Sequence, residues 1–180
     1  MTDLLAIAQL GNSVLRQTAR PIGQSIDRDL QQLIDDMLHV LKESKGVGIA
    51  APQVSESVRL LIVASAPNAR YPNAPAMEPT AILDPKILAV SDQIVSDWEG
   101  CLSVPGIRGW VPRHHSVDVE YTDRSGQIQK QKLSGFVARI FQHELDHLDG
   151  LVFLDRLESN RDIITEQEYL KLMKAQNRGK

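Results

Sequence analysis

Apolar residues recur at helical spacing in two stretches of the chain, and each stretch predicts an amphipathic helix. In the first, at about 27–45, the apolar residues are Leu30, Leu33, Ile34, Met37, Leu38 and Leu41. Their i, i+3, i+4 spacing places them on one face, and Gly46 suits the position just past the helix end. The second helix is predicted at about 135–148. Ser134 is a suitable N-cap for it, and Gly150 follows its end.

Strand-like patterns occupy much of the chain between these two helices. Residues 58–64 form an apolar run that predicts a buried strand, and further strands are predicted at 86–95, 117–122 and 127–133. The last two flank residues 123–126, whose Asp-Arg-Ser-Gly sequence is typical of a hairpin turn. Residues 66–80 contain four prolines and little periodicity, so we predict an irregular surface excursion there.

The fold class follows from how these elements alternate along the chain. A third helix is predicted to begin near Thr165, because Thr165 and Glu168 have the spacing of a capping box. It carries a basic tail made of Lys171, Lys174, Arg178 and Lys180. Strands grouped around a few helices, without regular βαβ alternation, predict an α+β fold. We expect mostly antiparallel strands packed around the helix at 135–148, with an N-terminal and a C-terminal helix, all in a single domain spanning 1–180.

Composition and charge exclude several classes of protein. The net charge of −3 over 180 residues does not predict a DNA-binding surface. No apolar run approaches the roughly 18–20 residues that span a bilayer. The N-terminus has an acidic residue at position 3 and no basic lead-in, so a secretory signal is not predicted. A single cysteine fits a reducing compartment. We expect a cytoplasmic protein, although a transit peptide that had been removed would leave no trace.

The segment His143-Glu144-Leu145-Asp146-His147 carries the most specific chemistry. Histidines at i and i+4 project from one face of a helix and suit one metal ion. Glu144 lies next to that pair, where it suits the activation of a metal-bound water. Phe136, Ile140, His143 and His147 follow one another at spacings of 4, 3 and 4, so the histidines continue the apolar face of the helix. Buried histidines need polar partners, and a metal satisfies both.

A catalytic metal site needs a third protein ligand, and the chain offers more than one. An H-x-x-G-x-x-H extension is excluded, because Phe153 occupies the position of its last ligand. Glu166 or Glu168, on a later helix, lies at a plausible distance in sequence, although each also suits the first turn of a helix. Cys101 offers a thiolate, which suits a borderline-soft metal. It also permits a nucleophilic Cys–His dyad, but that role would leave the second histidine and Glu144 without a function.

Three segments together resemble the motifs of peptide deformylases: GVGIAAPQ at 46–53, EGCLS at 99–103 and QHELDHL at 142–148. The resemblance implies removal of the formyl group from N-formylmethionyl peptides, with release of formate. It implies that Cys101, His143 and His147 bind one divalent metal ion and that Glu144 is the acid and base. Gln53 and the backbone N–H of Leu102 would stabilise the oxyanion.

The resemblance also implies a native metal, a substrate pocket and a partner. Iron(II) is the expected native metal, with zinc, nickel or cobalt as substitutes. The expected substrate-binding residues are Gly46, Val47, Gly48, Gly100, Arg108, Phe136 and Ile140, of which the last two would line the methionine pocket. Gly106 stands where many bacterial members have a glutamate, and residues 66–80 are longer than in compact members. We also hypothesise that the basic C-terminal helix docks on the ribosome.

Overall fold

Three α-helices and eight strands form within residues 5–23, 26–67 and 74–178, which are the residues that the computed structural model describes. The helices are α1 (Arg28–Ser44), α2 (Gly135–Leu148) and α3 (Glu166–Arg178). The strands are β1 (Gly48–Ala50), β2 (Leu60–Ser65), β3 (Met77–Val90), β4 (Ile94–Cys101), β5 (Val104–His114), β6 (Ser116–Thr122), β7 (Ile128–Ser134) and β8 (Ile163–Thr165). None of the helices in these residues is long and apolar enough to cross a membrane.

The strands form two separate antiparallel sheets. One has five strands in the order β1-β2-β3-β6-β7, and the other has three in the order β4-β5-β8. Helix α2 packs mainly against β1 and β2 of the five-stranded sheet. This arrangement confirms the predicted α+β class, with antiparallel strands and N-terminal, central and C-terminal helices.

Helix α1 forms where the apolar spacing predicts it. The Asp27 side chain caps its start by accepting a hydrogen bond from the Leu30 N–H at 3.0 Å. Its apolar face is buried against the five-stranded sheet. The left-handed residue at its end is Lys45 (φ 54°) rather than Gly46. A Cβ at Gly46 would lie 2.9 Å from Leu41 Cδ1, so a larger residue there would shift the end of that side chain.

Helix α2 has the bounds that the sequence predicts. Phe141 and Leu148 are fully buried on the face towards the five-stranded sheet. Ser134 occupies the N-cap position, but its side chain makes no capping hydrogen bond. Gly150 lies just past the helix end with φ 77°, in the region that favours glycine.

Two predictions about the strands were wrong, and strand β5 was not predicted. Residues 77–80 of the predicted irregular excursion belong to β3, and its residues 68–73 lie outside the described residues. Lys180, from the predicted basic tail, also lies outside the described residues. The predicted strand at 86–95 is divided between β3 and β4. Strand β5 was not predicted, because Pro105 and Pro112 interrupt its pattern. Strand β8 pairs only with residues 107–109 of β5, so both prolines lie where β5 has one unpaired edge.

Candidate metal centre

Three potential ligands converge where the end of β4 meets α2. They are Cys101, His143 and His147, whose ligand atoms all lie within 4.8 Å of one another. The Cys101 Sγ and the His147 Nε2 are 3.3 Å apart. Thiolate and imidazole ligands about 2.0–2.3 Å from a tetrahedral ion lie roughly 3.3–3.8 Å from each other, so the donor set fits one metal ion.

Local structure explains how these side chains come together. The two histidines lie one turn apart on α2. Cys101 is the last residue of β4 and pairs with Val104, after a register shift between Glu99 and Cys101. Such a shift turns a side chain away from its regular direction on the strand. Here it accompanies the approach of the thiol to the helix.

Glu99 holds the outer nitrogen of His143. Its Oε2 lies 2.8 Å from His143 Nδ1. Burial opposes the charge on Glu99, but the Arg113 guanidinium and His143 more than offset this and hold the pKa of Glu99 far below its usual range. An ionised Glu99 can only accept a hydrogen bond, so the His143 Nδ1 carries the proton and donates that hydrogen bond to Glu99. The Nε2 of His143 is then the nitrogen that can bind a metal.

The two histidines have opposite pKa shifts. Burial alone would lower the pKa of His143, but the neighbouring Cys101 and Glu99 raise it well above its usual value. Burial, together with the nearby positive charge of His143, holds the pKa of His147 well below its usual value. His147, which is fully buried, is therefore neutral near pH 7 and available as a ligand.

Glu144 is a buried carboxyl group beside the potential ligands. It is 4 % exposed, and burial raises its pKa to about 7. Its Oε2 has no hydrogen-bond partner among the described residues. A buried carboxylate with an unpartnered oxygen and a pKa near neutrality suits a general base that works through water.

Gln53 and Leu102 border the same centre. The Oε1 of Gln53 accepts a hydrogen bond from the Ala50 N–H at 2.8 Å. Its Nε2 lies 3.2 Å from Ser103 Oγ and 3.4 Å from Cys101 Sγ. The backbone N–H of Leu102 donates no hydrogen bond to the described part of the chain. Both residues line the same cavity as Cys101.

A cavity of about 300 Å³ opens onto this centre. It is lined by nearly all the residues that the sequence singles out: Gly46, Val47, Gly48, Gln53, Gly100, Cys101, Leu102, Arg108, Phe136, Ile140, His143 and Glu144. His147 does not line the cavity and is fully buried. Gly106, the departure noted in the sequence, also lines the cavity and has φ 77°.

Arg108 is a buried part of the cavity wall, at 2 % exposure, rather than a solvated edge charge. Its guanidinium pairs with Glu166 at 2.5 and 3.0 Å and lies over the ring of Tyr169. Glu166 is thus tied to Arg108, while the exposed Glu168 pairs with Lys171. Neither glutamate belongs to the group of converging ligand atoms.

Sequence reasoning missed a set of buried charges behind the ligands. Glu99 contacts Arg113 and Arg139, and Arg113 also contacts Asp146. One signal could have indicated Glu99. A metal-binding histidine usually donates its other N–H to a carboxylate or carbonyl, and Glu99 lies two residues before Cys101. The arginines carry no comparable signal.

Known proteins resemble this chain over most of its length. The profile of the polypeptide deformylase family matches residues 4–162. Peptide deformylase 2 of Nostoc sp. is 61% identical over 171 residues, which cover 95% of this chain and 96% of that protein. Peptide deformylase 2 of Shewanella oneidensis is 45% identical over 164 residues, covering 91% and 90%. The class I type b peptide deformylase of Acinetobacter baumannii, solved with bound Met-Ala-Ser, superposes with a TM-score of 0.85 at 43% identity, covering 87% of this chain and 100% of that one.

Proposed function

The chain belongs to the polypeptide deformylase family, whose members remove the N-formyl group from nascent peptides, and on that premise we propose how its own residues carry out the reaction. The observation that supports the proposal is the convergence of Cys101, His143 and His147 beside Glu144 at a cavity of about 300 Å³. A divalent ion held by the three ligands would lower the pKa of a water towards about 7 and polarise the formyl oxygen.

Glu144 is the proposed proton carrier. It takes a proton from the water whose oxygen attacks the formyl carbon. It then returns a proton to the peptide nitrogen as the carbon–nitrogen bond breaks, which yields formate and a free amino terminus. A pKa of about 7 lets one carboxyl group serve as base and then as acid near neutral pH.

Gln53 and Leu102 are the proposed oxyanion donors. The Leu102 N–H has no competing partner among the described residues. The Gln53 Nε2 makes long contacts of 3.2 and 3.4 Å, and a developing anionic oxygen is a stronger acceptor than the hydroxyl of Ser103. Both donors are therefore available as negative charge forms on the formyl oxygen.

The cavity wall suits a peptide that begins with methionine. Phe136 and Ile140 provide apolar surface for the side chain. We propose that Gly46, Val47, Gly48 and Gly100 form the part of the wall along which the peptide binds, and that Arg108 completes it. We propose iron(II) as the native ion. Two imidazoles and one thiolate also suit zinc, nickel and cobalt, so the ion must be measured.

Three wider proposals accompany the chemistry. Residues 1–180 form one catalytic domain, because one site takes a ligand from the three-stranded sheet and two from α2, which packs on the five-stranded sheet. The enzyme works in the cytoplasm, where formylated chains emerge from ribosomes. The C-terminal helix with Lys171 and Lys174 docks on ribosomal RNA, and deleting residues 170–180 is expected to abolish co-sedimentation with ribosomes. Unchanged co-sedimentation would exclude this docking.

Replacing Glu144 tests the proton transfer. Glu144→Ala is expected to retain the metal and lose formate release from formyl-Met-Ala, because the ligands remain and the base is gone. The measurement uses protein prepared without oxygen, with bound iron, zinc, nickel and cobalt quantified in the same sample. A variant as fast as the parent would refute the role of Glu144.

Replacing Cys101 separates this function from that of a general zinc peptidase. Under the proposal, Cys101→Ala loses a ligand and its metal content falls sharply. A peptidase that used Glu166 or Glu168 as third ligand would keep its metal. The control is Glu168→Ala, which removes an exposed carboxylate and should leave metal content unchanged.

A further inference from the structure

The three potential metal ligands belong to different layers of the fold. Cys101 ends β4 in the three-stranded sheet, whereas His143 and His147 lie on α2, which packs on the five-stranded sheet. The apolar contacts follow the same division. Val104, Val111 and Phe153 form a small cluster around the three-stranded sheet, separate from the larger cluster that includes the buried face of α2. The small cluster contacts α2 where the Phe153 ring stacks on that of His143, with centroids 6.2 Å apart, but no cluster of buried apolar residues in the described part of the chain spans both sheets.

Hydrogen bonds join the three-stranded sheet to α2 instead. We call this set the polar seam; its members are Glu99, Arg113, His114, Arg139, Gln142 and Asp146. Gln142 exchanges two hydrogen bonds with the His114 backbone, at 2.9 and 3.1 Å. Arg113 donates to Asp146 at 2.6 Å and to both oxygens of Glu99 at 2.9 Å.

Arg139 is the only arginine of the polar seam that lies on α2. Its guanidinium binds both β4 and β5. It donates to Glu99 Oε1 at 2.8 Å and to the Val111 carbonyl at 2.9 Å. It also donates to the Val95 carbonyl at 2.5 Å. The planar guanidinium fixes all three acceptors relative to one another. Arg139 lies one turn before His143, and Glu99 lies two residues before Cys101.

We propose that Arg139 is a positioning residue that sets the separation between Cys101 and the histidine pair. The proposal rests on the proposed metal-dependent function. Arg139 acts through the strands and not through the charge of Glu99, because Arg113 alone still pairs with both oxygens of that carboxylate. Losing Arg139 should therefore leave His143 correctly oriented and loosen the thiol relative to it.

Arg139→Met tests the proposal. Methionine keeps an aliphatic stem at the cavity wall but loses all three hydrogen bonds. The metal affinity of the folded enzyme is measured by competition with a chelator, and the cobalt(II) form reports thiolate coordination through its charge-transfer absorption. We expect affinity to fall about 10–100-fold, as for other residues that hold metal ligands in place, with a weaker thiolate band. At saturating metal, the loss should fall mainly on kcat rather than on KM for formyl-Met-Ala.

Arg59→Met is the matched control. Arg59 donates to the Leu148 carbonyl at 3.3 Å and to Asp149 at 2.9 Å, so it ties the residue before β2 to the end of α2 and not the three-stranded sheet to the helix. It should lower resistance to urea and leave metal affinity unchanged. An equal loss of affinity in both variants, or parental affinity and absorption in Arg139→Met, would overturn the proposal.

Arg139→Lys keeps the test decisive if the methionine variant does not fold. One ammonium group cannot reach all three acceptors in the plane of a guanidinium, so affinity should lie between those of the parent and Arg139→Met. For the lysine variant alone, affinity below the parent supports the proposal and parental affinity overturns it. These readouts do not depend on turnover, so a parent that bound metal but released no formate would refute the proposed function separately.

Discussion

Replacing Gly48 with alanine should damage both catalysis and stability. Gly48 does not have a positive φ, so alanine can adopt its backbone conformation. The obstacle is space. A Cβ at this position would lie 2.4 Å from Glu144 Oε1, 2.8 Å from Glu144 Cγ and 2.7 Å from Ile140 Cγ2. The new methyl group therefore presses on the proposed base.

The size of the effect follows from these distances. Moving Glu144 Oε1 from 2.4 Å to an ordinary contact of 3.4 Å needs a shift of 1.0 Å. A misplacement of about 1 Å in a catalytic group costs roughly 100-fold in rate. Glu144 and Ile140 are almost fully buried, so the overpacking should also cost about 1–3 kcal/mol of unfolding free energy.

Gly106 supplies the control for this experiment. It lines the same cavity, but a Cβ there meets nothing within 4 Å. Its φ of 77° makes alanine strained, so Gly106→Ala should lose about 1 kcal/mol of stability and keep its turnover. The assay is kcat/KM for formyl-Met-Ala at saturating metal, with urea unfolding in parallel. If Gly48→Ala matched the parent in kcat/KM, the close packing of Gly48 on Glu144 would have no catalytic meaning.

Three further predictions concern pH and the core. Burial raises the pKa of Glu144 from 4.5 to about 7, so its ionisation costs stability as the pH rises through that range. In the metal-free protein, the parent should therefore lose stability relative to Glu144→Gln as the pH rises. The difference in unfolding free energy should change by about 3 kcal/mol between pH 4.5 and 7, and a difference independent of pH would contradict this. Hydrogen bonds from Ser125, Gln127 and Gln129 lower the pKa of Asp123 to about 2. Its stabilisation is therefore present above pH 4 and lost towards pH 2, and Asp123→Asn should be less stable than the parent at pH 6 but not at pH 2, measured by thermal unfolding. Phe141→Ala should lose about 3–5 kcal/mol in urea unfolding, because the ring is fully buried; a loss below 1 kcal/mol would count against the packing described.

The elements that the sequence predicts well are those whose signals are local. Helix α2 has its predicted bounds, because apolar spacing, the N-cap position and Gly150 all lie within one short segment. The hairpin of β6 and β7 also forms as predicted, since its turn at 123–126 is local. The same holds for the candidate site: the i, i+4 histidines require only a helix to lie side by side.

What the sequence could not predict depends on pairing between distant segments. Strand β5 contains Pro105 and Pro112, which are acceptable only because its partner β8 is short. No pattern near 86–95 shows that the chain turns between Val90 and Ile94 and enters a different sheet. Arg139 contacts Glu99 forty residues away, and its own neighbours in the sequence are ordinary helix residues.

The buried charges of the polar seam are better explained by the metal centre than by stability. Burying an ion pair costs desolvation that its attraction often only offsets, and an apolar replacement of similar size is commonly as stable. Apolar side chains in place of Glu99 and Arg113 would avoid that desolvation cost. They would also leave the His143 Nδ1 without an acceptor, and the ring would then lose the partner that directs its Nε2 inward. A centre whose ligands come from two layers needs directional bonds between those layers, and the buried charges at 99, 113, 139 and 146 provide them.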